Sequence, residues 1–189
     1  MFRSAPLFTA LAVVLPASAQ SYVVSPPQAA TTEGGTWFDS PFTGPCRHQQ
    51  INVDLRGAAR TFSALAFRRD GLAPANATLV ARTLDLEVSC ATGSYSGSGT
   101  SFATNYVSAP SVVFTRKLIG IPDFSALPDS LPAAWSIHLA FDFPHAYAGN
   151  ADVLTELKVW SSSSPNGCLD DGVSARDTTL VGGFRSVGS

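Results

Sequence analysis

The sequence predicts an all-β protein: a single β-sandwich with jelly-roll-like, crossed connections that follows a cleaved signal peptide. Three observations carry this prediction. Short segments alternate between apolar and polar side chains, glycine, proline and Asp-Gly turn signals separate them, and the mature chain shows no helical period. After loss of the first 19 of the 189 residues, 170 remain, which suits one domain with its own core.

The first residues have the pattern of a secretory signal peptide. Arg3 is basic, the run Leu7–Leu15 is apolar, and Ala17-Ser18-Ala19 is a small-residue cleavage site. The apolar run is shorter than the roughly 20 residues of a membrane-spanning helix, and the mature sequence contains no other candidate. We therefore expect cleavage after Ala19 and a protein that is secreted, periplasmic or at the cell surface.

The rest of the chain divides into two parts. Residues 20–46 are rich in Pro, Ser, Thr and Gly, and we interpret them as an irregular lead-in with one short strand at Trp37-Phe38. Residues 47–189 are predicted to form the sandwich. The predicted strands are residues 51–55, 61–68, 84–90, 111–119, 135–143, 153–159 and 178–187.

The strand at residues 135–143 has the clearest pattern. Ile137, Leu139 and Phe141 share one face with Trp135 and Phe143, and polar side chains stand between them. This period of two predicts that all five side chains are in the core. Long connections that contain several prolines separate the strands, so we expect crossed connections rather than simple hairpins.

Composition and charge exclude some partners. Charged residues make up 14% of the chain, against about 25% in typical soluble domains. The net charge is −2 and becomes −3 when Arg3 is removed with the signal peptide. Arg68-Arg69 and Arg116-Lys117 are isolated basic pairs, whereas binding to a phosphate backbone leaves a basic cluster. The sequence therefore argues against nucleic acid as a partner.

Three cysteines, Cys46, Cys90 and Cys168, are disulfide candidates in an exported protein. Because the number is odd, we expect two to form a bridge and one to be left over, unless it pairs between chains. None has zinc-type spacing to a second ligand. His48 is close to Cys46 in sequence, but two residues in a loop are weak evidence for a catalytic pair.

No group of residues identifies a reaction. The histidines are His48, His138 and His145, and no serine lies in a Gly-x-Ser-x-Gly elbow. His138 and Asp142 share a strand face but are about 13 Å apart along it, too far for a hydrogen bond. His145 follows a strand end, where it could meet a carboxylate from elsewhere. We assign no catalytic residue and favour a non-catalytic protein.

The sequence also gives no reason to assign a metal or cofactor. Asp170-Asp171 is the adjacent acidic pair that could contribute to a calcium site. Two carboxylates are a small part of the six to eight oxygen ligands that Ca²⁺ takes. We interpret the pair as a solvated turn.

Trp160 is the candidate ligand-binding residue. Alternation places it with Glu156 and Lys158, opposite the face that carries Leu157 and Val159. An aromatic side chain that points outward among charged groups can stack on a sugar ring. The alternative is that a loop covers this face and makes Trp160 part of the architecture.

The order of several motifs resembles that of uncharacterised secreted proteins common in planctomycete-type bacteria. The matching segments are Arg47-His48-Gln49-Gln50, Leu65–Gly71, Thr83–Val88, Ser101–Asn105, Val112-Val113-Phe114 and Gly149-Asn150. The resemblance covers roughly residues 46–162. It implies a β-sandwich and export, and it implies no chemistry.

These observations favour a secreted, non-catalytic extracellular domain with a structural or binding role. The expected partner is a glycan or a cell-surface component. The alternative is a secreted carbohydrate-active hydrolase whose site is built from distant loops. A third hypothesis is a subunit that assembles through a strand edge or the leftover cysteine. A row of exposed tryptophans, or a concave face with two carboxylates, distinguishes the first two.

Overall fold

The computed structural model describes residues 22–32, 35–36, 42, 44–68, 81–123, 130–163, 171–172 and 184–188. In these ranges the chain forms strands, two short 3-10 helices and no α-helix. The 3-10 helices are Pro27–Ala30 and Phe102–Asn105. The strands are β1 (Gly35–Thr36), β2 (Cys46–Asn52), β3 (Arg60–Arg68), β4 (Arg82–Gly93), β5 (Ser111–Ile121), β6 (Trp135–Tyr147), β7 (Asp152–Ser162), β8 (Asp171–Gly172) and β9 (Phe184–Gly188).

The strands form antiparallel sheets. The larger sheet has five strands in the order β5-β4-β7-β2-β9, and β3 pairs with β6 in a second sheet. Between β2 and β7 the chain changes from one of these sheets to the other four times. A meander would keep consecutive strands side by side, so the crossed connections agree with the sequence pattern. The all-β sandwich is confirmed.

The core lies between the inner faces of these two sheets. Leu84, Leu86 and Val88 alternate along β4 and are fully buried. From the opposite sheet, Ile137 and Leu139 are buried and Phe141 is partly buried against the same cluster. The predicted core face of residues 137–141 is therefore confirmed, and it fixes which side chains of the five-stranded sheet point outward.

At the ends of β6 the sequence-based assignment is wrong. Trp135 is 40% exposed and Phe143 is 59% exposed, although both were predicted to be core residues. Trp135 pairs with Arg68 while Ile137 pairs with Phe67, so an extra residue in β6 breaks the alternation there. A second irregularity lies between Ala140 and His145, where three extra residues of β6 leave the regular pairing around Phe143.

The first strand of the sandwich lies earlier than predicted. The alternation at residues 51–55 suggested a strand, whereas β2 ends at Asn52 and residues 53–58 form a turn. The segment Arg47-His48-Gln49-Gln50 is inside β2 and pairs with β7. As a result of this shift, Arg47 and Gln49 lie in a strand and next to Glu156 of β7.

An aspartate links the two main sheets along one side. Asp142 of β6 accepts hydrogen bonds from the backbone N–H of Thr115 at 2.8 Å and from its hydroxyl at 2.6 Å. The Lys117 ammonium lies 2.5 Å from the same carboxylate. The hydrogen bonds from Lys117 and then Thr115 lower the pKa of Asp142 to about 2. The carboxylate is therefore ionised at neutral pH and holds β5 against β6.

Several predictions lie outside the described residues. These are the signal peptide, the short strand at Trp37-Phe38, Cys168 and Asp170. Asp171 pairs with Thr36 between β1 and β8. Within the described ranges, no helix has the length and hydrophobicity that a membrane span requires.

Candidate functional site

The outer face of the five-stranded sheet divides into a covered half and an open half. The covered half lies beneath residues 94–108, which connect β4 to β5 and are called the cover segment below. The open half carries Trp160. We call it the Trp160 face, and it consists of Asp85, Glu87, Arg116, Leu118, Lys158 and Trp160.

Glu156 is the centre of the covered half and is 1% exposed. Its Oε2 accepts hydrogen bonds from Arg47 Nε at 2.8 Å, from Gln49 Nε2 at 2.7 Å and from the Tyr106 hydroxyl at 2.5 Å. Arg47 Nη2 also lies 2.8 Å from this oxygen. Lys158 Nζ is 3.3 Å from Oε1. A carboxylate taken out of water is thus surrounded by donors, as its burial requires.

Further contacts attach the cover segment to the sheet. The Asn105 side-chain amide donates to Gln49 Oε1 at 3.0 Å, and Gln49 Nε2 donates to the Phe102 carbonyl at 3.2 Å. The Arg47 guanidinium stacks on the Phe102 ring at 4.5 Å. Since Glu156 of β7 binds Arg47 and Gln49 of β2 as well as Tyr106, it fastens this connection to two strands.

The network changes the proton affinities of its members. Burial alone would raise the pKa of Glu156, but the hydrogen bonds from Tyr106, Arg47 and Gln49 outweigh it, and the pKa is lowered. Burial and the hydrogen bond to Glu156 raise the pKa of Tyr106. Glu156 is therefore ionised and fully partnered at neutral pH. Without access to solvent, it is suited to holding the cover segment rather than to moving a proton.

A second buried carboxylate lies at the edge of the cover segment. Asp152 Oδ2 accepts the Tyr95 N–H at 2.8 Å, and Oδ1 lies 2.5 Å from Arg56 Nε. Together with Val53 and Ser96 these residues line a surface depression of about 210 Å³. Because Arg56 and the Tyr95 backbone occupy both oxygens, Asp152 joins two turns of the fold.

The open half presents Trp160, which is 51% exposed. The Arg116 guanidinium stacks on one side of the indole at 4.4 Å from the ring centroid. Arg116 in turn forms a two-pronged ion pair with Asp85, with Nη2 at 2.6 Å and Nε at 2.9 Å from Oδ2. Alternation had predicted the outward position of Trp160, and the ion pair holds one ring face in place.

The histidines do not form a catalytic pair in the described part of the chain. His48 is buried on the inner face of the sheet, opposite Leu157. His138 is exposed, with Nε2 3.2 Å from the Trp135 carbonyl. The buried Nε2 of His145 has no hydrogen-bond partner, and burial lowers the pKa of this histidine. The Nε2 atom of His145 therefore makes no hydrogen bond to a carboxylate among the described residues.

Cys46 and Cys90 are not bonded to each other. They face the core from β2 and β4, opposite Val159 and Thr155 of the strand between them. This register separates them by about 13 Å along β7 and about 10 Å across it, more than the roughly 7 Å that a disulfide spans. Burial raises the pKa of the Cys90 thiol to about 12, so this cysteine is inert at neutral pH.

No group of three or more His, Cys, Asp or Glu side chains suited to a metal ion occurs in the described residues. The sequence interpretation missed the Glu156 network, because Glu156 and Lys158 were both taken as solvent-facing. Three aromatic residues, Tyr95, Phe102 and Tyr106, lie in the connection between β4 and β5. An exposed loop does not need so many aromatic side chains, so this cluster could have indicated that the connection packs on the sheet.

Comparisons with protein-family models, with curated proteins and with solved structures give no match. The resemblance to secreted planctomycete-type proteins therefore stays a prediction from the sequence.

Proposed function

We propose that the protein is a secreted, non-catalytic extracellular domain that binds a glycan through the Trp160 face. The observation that carries this proposal is the half-exposed Trp160 ring, fixed by Arg116 and surrounded by hydrogen-bonding groups. Apolar C–H groups of a sugar can pack on an indole while the sugar hydroxyls bind adjacent polar side chains. Glycan recognition needs both kinds of contact, and the Trp160 face offers them side by side.

The charged side chains beside Trp160 favour binding over hydrolysis. A glycosidase of the common type uses two carboxyl groups, one of them protonated, on either side of the scissile bond. Asp85 and Glu87 lie on one strand, and each is already paired with a cation, Arg116 or Lys158. Both carboxylates approach a bound chain from the same side, which does not suit the hydrolase alternative.

The strand edge at β5 also argues against assembly through that edge. Arg116 and Lys117 lie on this strand, and the pairing of β4 with β5 is shifted between Leu86 and Ser89. Charges and bulges on an edge strand oppose the addition of another strand. For the β5 edge, the third hypothesis from the sequence is therefore less well supported than glycan binding.

Replacing Trp160 by alanine should abolish stacking and leave the fold intact. Loss of one aromatic platform corresponds to about 1–3 kcal/mol when the stacked group is a nucleic-acid base, and we expect an effect of similar size for a sugar. A glycan array identifies the ligand, and calorimetry then compares wild type with Trp160→Ala. Unchanged affinity, or an unfolded variant, would reject Trp160 as the contact residue.

Trp135 provides a matched control. It is 40% exposed and is also stacked by an arginine, with the Arg68 guanidinium at 5.0 Å, but it belongs to the other sheet. Trp135→Ala should therefore keep the affinity for the glycan. Equal losses in both variants would indicate a general effect of removing a surface tryptophan.

Export is tested separately from binding. When the full chain is expressed in a bacterium that secretes proteins, we expect processing after Ala19, so that the mature protein begins at Gln20. N-terminal sequencing of the exported protein checks this. An exported protein that retained Met1 would contradict the signal-peptide assignment and leave the binding proposal open to its own test.

A further inference from the structure

The charges of the Trp160 face are already neutralised within the protein. Asp85 holds Arg116, and Glu87 holds Lys158 with Oε1 3.3 Å from Nζ. The buried Glu156 lies equally close to Lys158. Both described cations of this face, Arg116 and Lys158, therefore have a carboxylate neighbour and are not free to attract an anionic ligand.

The orientation of Arg116 strengthens this conclusion. Its Nε and Nη2 groups, the edge with which a guanidinium grips a carboxylate, are directed at Asp85. Its flat face covers the indole of Trp160. A uronic acid or sulfate group would have to displace Asp85 to use the same edge. A neutral sugar needs no such displacement, since it can stack on the other side of the ring.

The exposed atoms of the ion pairs suit hydroxyl groups. Carboxylate oxygens of Asp85 and Glu87 can accept hydrogen bonds, and the remaining N–H groups of Arg116 and Lys158 can donate them. An anionic group brought to this surface would lose part of its hydration without gaining an unpaired cation from these four residues, which opposes binding.

We infer that the ligand of the Trp160 face is a neutral glycan, and that Asp85, by occupying Arg116, excludes acidic glycans. This inference rests on the proposed function, because it specifies the chemical class of ligand for the same site. It makes the ion pair between Asp85 and Arg116 a determinant of specificity as well as a support for the tryptophan.

The test compares soluble neutral glycans, namely β-glucan, xylan and mannan oligosaccharides, with the acidic oligosaccharides of polygalacturonate, alginate and a sulfated glycan. The wild-type protein should bind at least one neutral glycan about tenfold or more tightly than any acidic one. Its affinity should be nearly unchanged when the salt concentration is raised about tenfold, since no net charge is screened.

Asp85→Asn releases the guanidinium of Arg116 and should raise the affinity for acidic glycans about tenfold. Asp142→Asn is the matched control, because it removes one exposed carboxylate from an ion pair with Lys117 but leaves Arg116 occupied. It should produce no gain. Circular dichroism and thermal unfolding establish that both variants are folded.

The outcomes separate the inference from the proposed function. A wild-type protein that preferred acidic glycans would overturn the inference and leave glycan binding standing. An Asp85→Asn variant with no gain, or a gain equal to that of Asp142→Asn, would also overturn it. If the wild-type protein bound none of the glycans in the array or the test set, the proposed function would fail and the inference with it.

Discussion

Replacing Glu156 by alanine should destabilise the fold by about 3 kcal/mol, the lower end of the range for removing one partner of a buried ion pair. The loss removes the acceptor of the Tyr106 hydroxyl and one of the two acceptors of the buried Gln49 amide. Arg47 is partly exposed and can regain water, which keeps the effect at the lower end. Chemical denaturation of wild type and variant measures the free energy of unfolding.

Glu87→Ala is the control for this change. Glu87 is the same residue type on the neighbouring strand of the outer face, but its ion pair with Lys158 is partly buried rather than enclosed. A pair that keeps contact with solvent contributes about 0–1 kcal/mol, so this variant should lose clearly less stability than Glu156→Ala. Similar losses in the two variants would show that burial of the Glu156 network has no special role.

The same network predicts how stability depends on pH. The pKa of Glu156 is lower in the folded state than its ordinary value, which is about 4.3 in an unfolded chain. Its contribution is therefore fully present above that value and is lost as the pH falls through the lower folded-state pKa. Glu156→Gln has no such proton to bind, so it should lose less stability than wild type between neutral and acidic pH.

Asp142 also contributes to acid sensitivity, because its pKa is lowered to about 2. It is present in both proteins, and the difference between wild type and Glu156→Gln therefore isolates Glu156. Parallel pH profiles for the two proteins would contradict a lowered pKa at this position. Protease sensitivity within residues 94–108 adds a local measurement, since the cover segment is what the carboxylate holds.

The strands that follow a simple period were predictable from the sequence, and the points where pairing is irregular were not. Leu84, Leu86 and Val88 alternate in sequence and are buried as the alternation requires. Trp135 and Phe143 have the correct parity for the core, yet irregular pairing with β3 brings them to the surface. Such bulges depend on how two distant strands are aligned, which the local pattern of one strand does not contain.

The candidate site shows the same division. The period of β7 placed Glu156, Lys158 and Trp160 together on the outer face, and the structure agrees. The period could not indicate which part of that face the cover segment would bury. Glu156 is buried because Tyr106, 50 residues away, returns over it, whereas Trp160 lies past the covered region. Alternation determines on which face of the sheet a side chain lies, and a nonlocal contact determines whether that face is exposed to solvent.

Leu157→Ala should destabilise the fold by about 3–5 kcal/mol, as for other leucines deleted from a closed core. Leu157 is 0% exposed and lies on the central strand, opposite His48 on one side and Val88 on the other. With paired strands on both flanks, the backbone cannot collapse into the cavity.

Leu118→Ala removes the same atoms from a side chain that is 72% exposed, and should cost less than about 0.5 kcal/mol. Denaturation curves for the two variants measure the contrast between the inner and outer faces of the sheet. Equal costs would mean that the faces are assigned incorrectly, and the outward position of Trp160, which depends on the same alternation, would then lose its support.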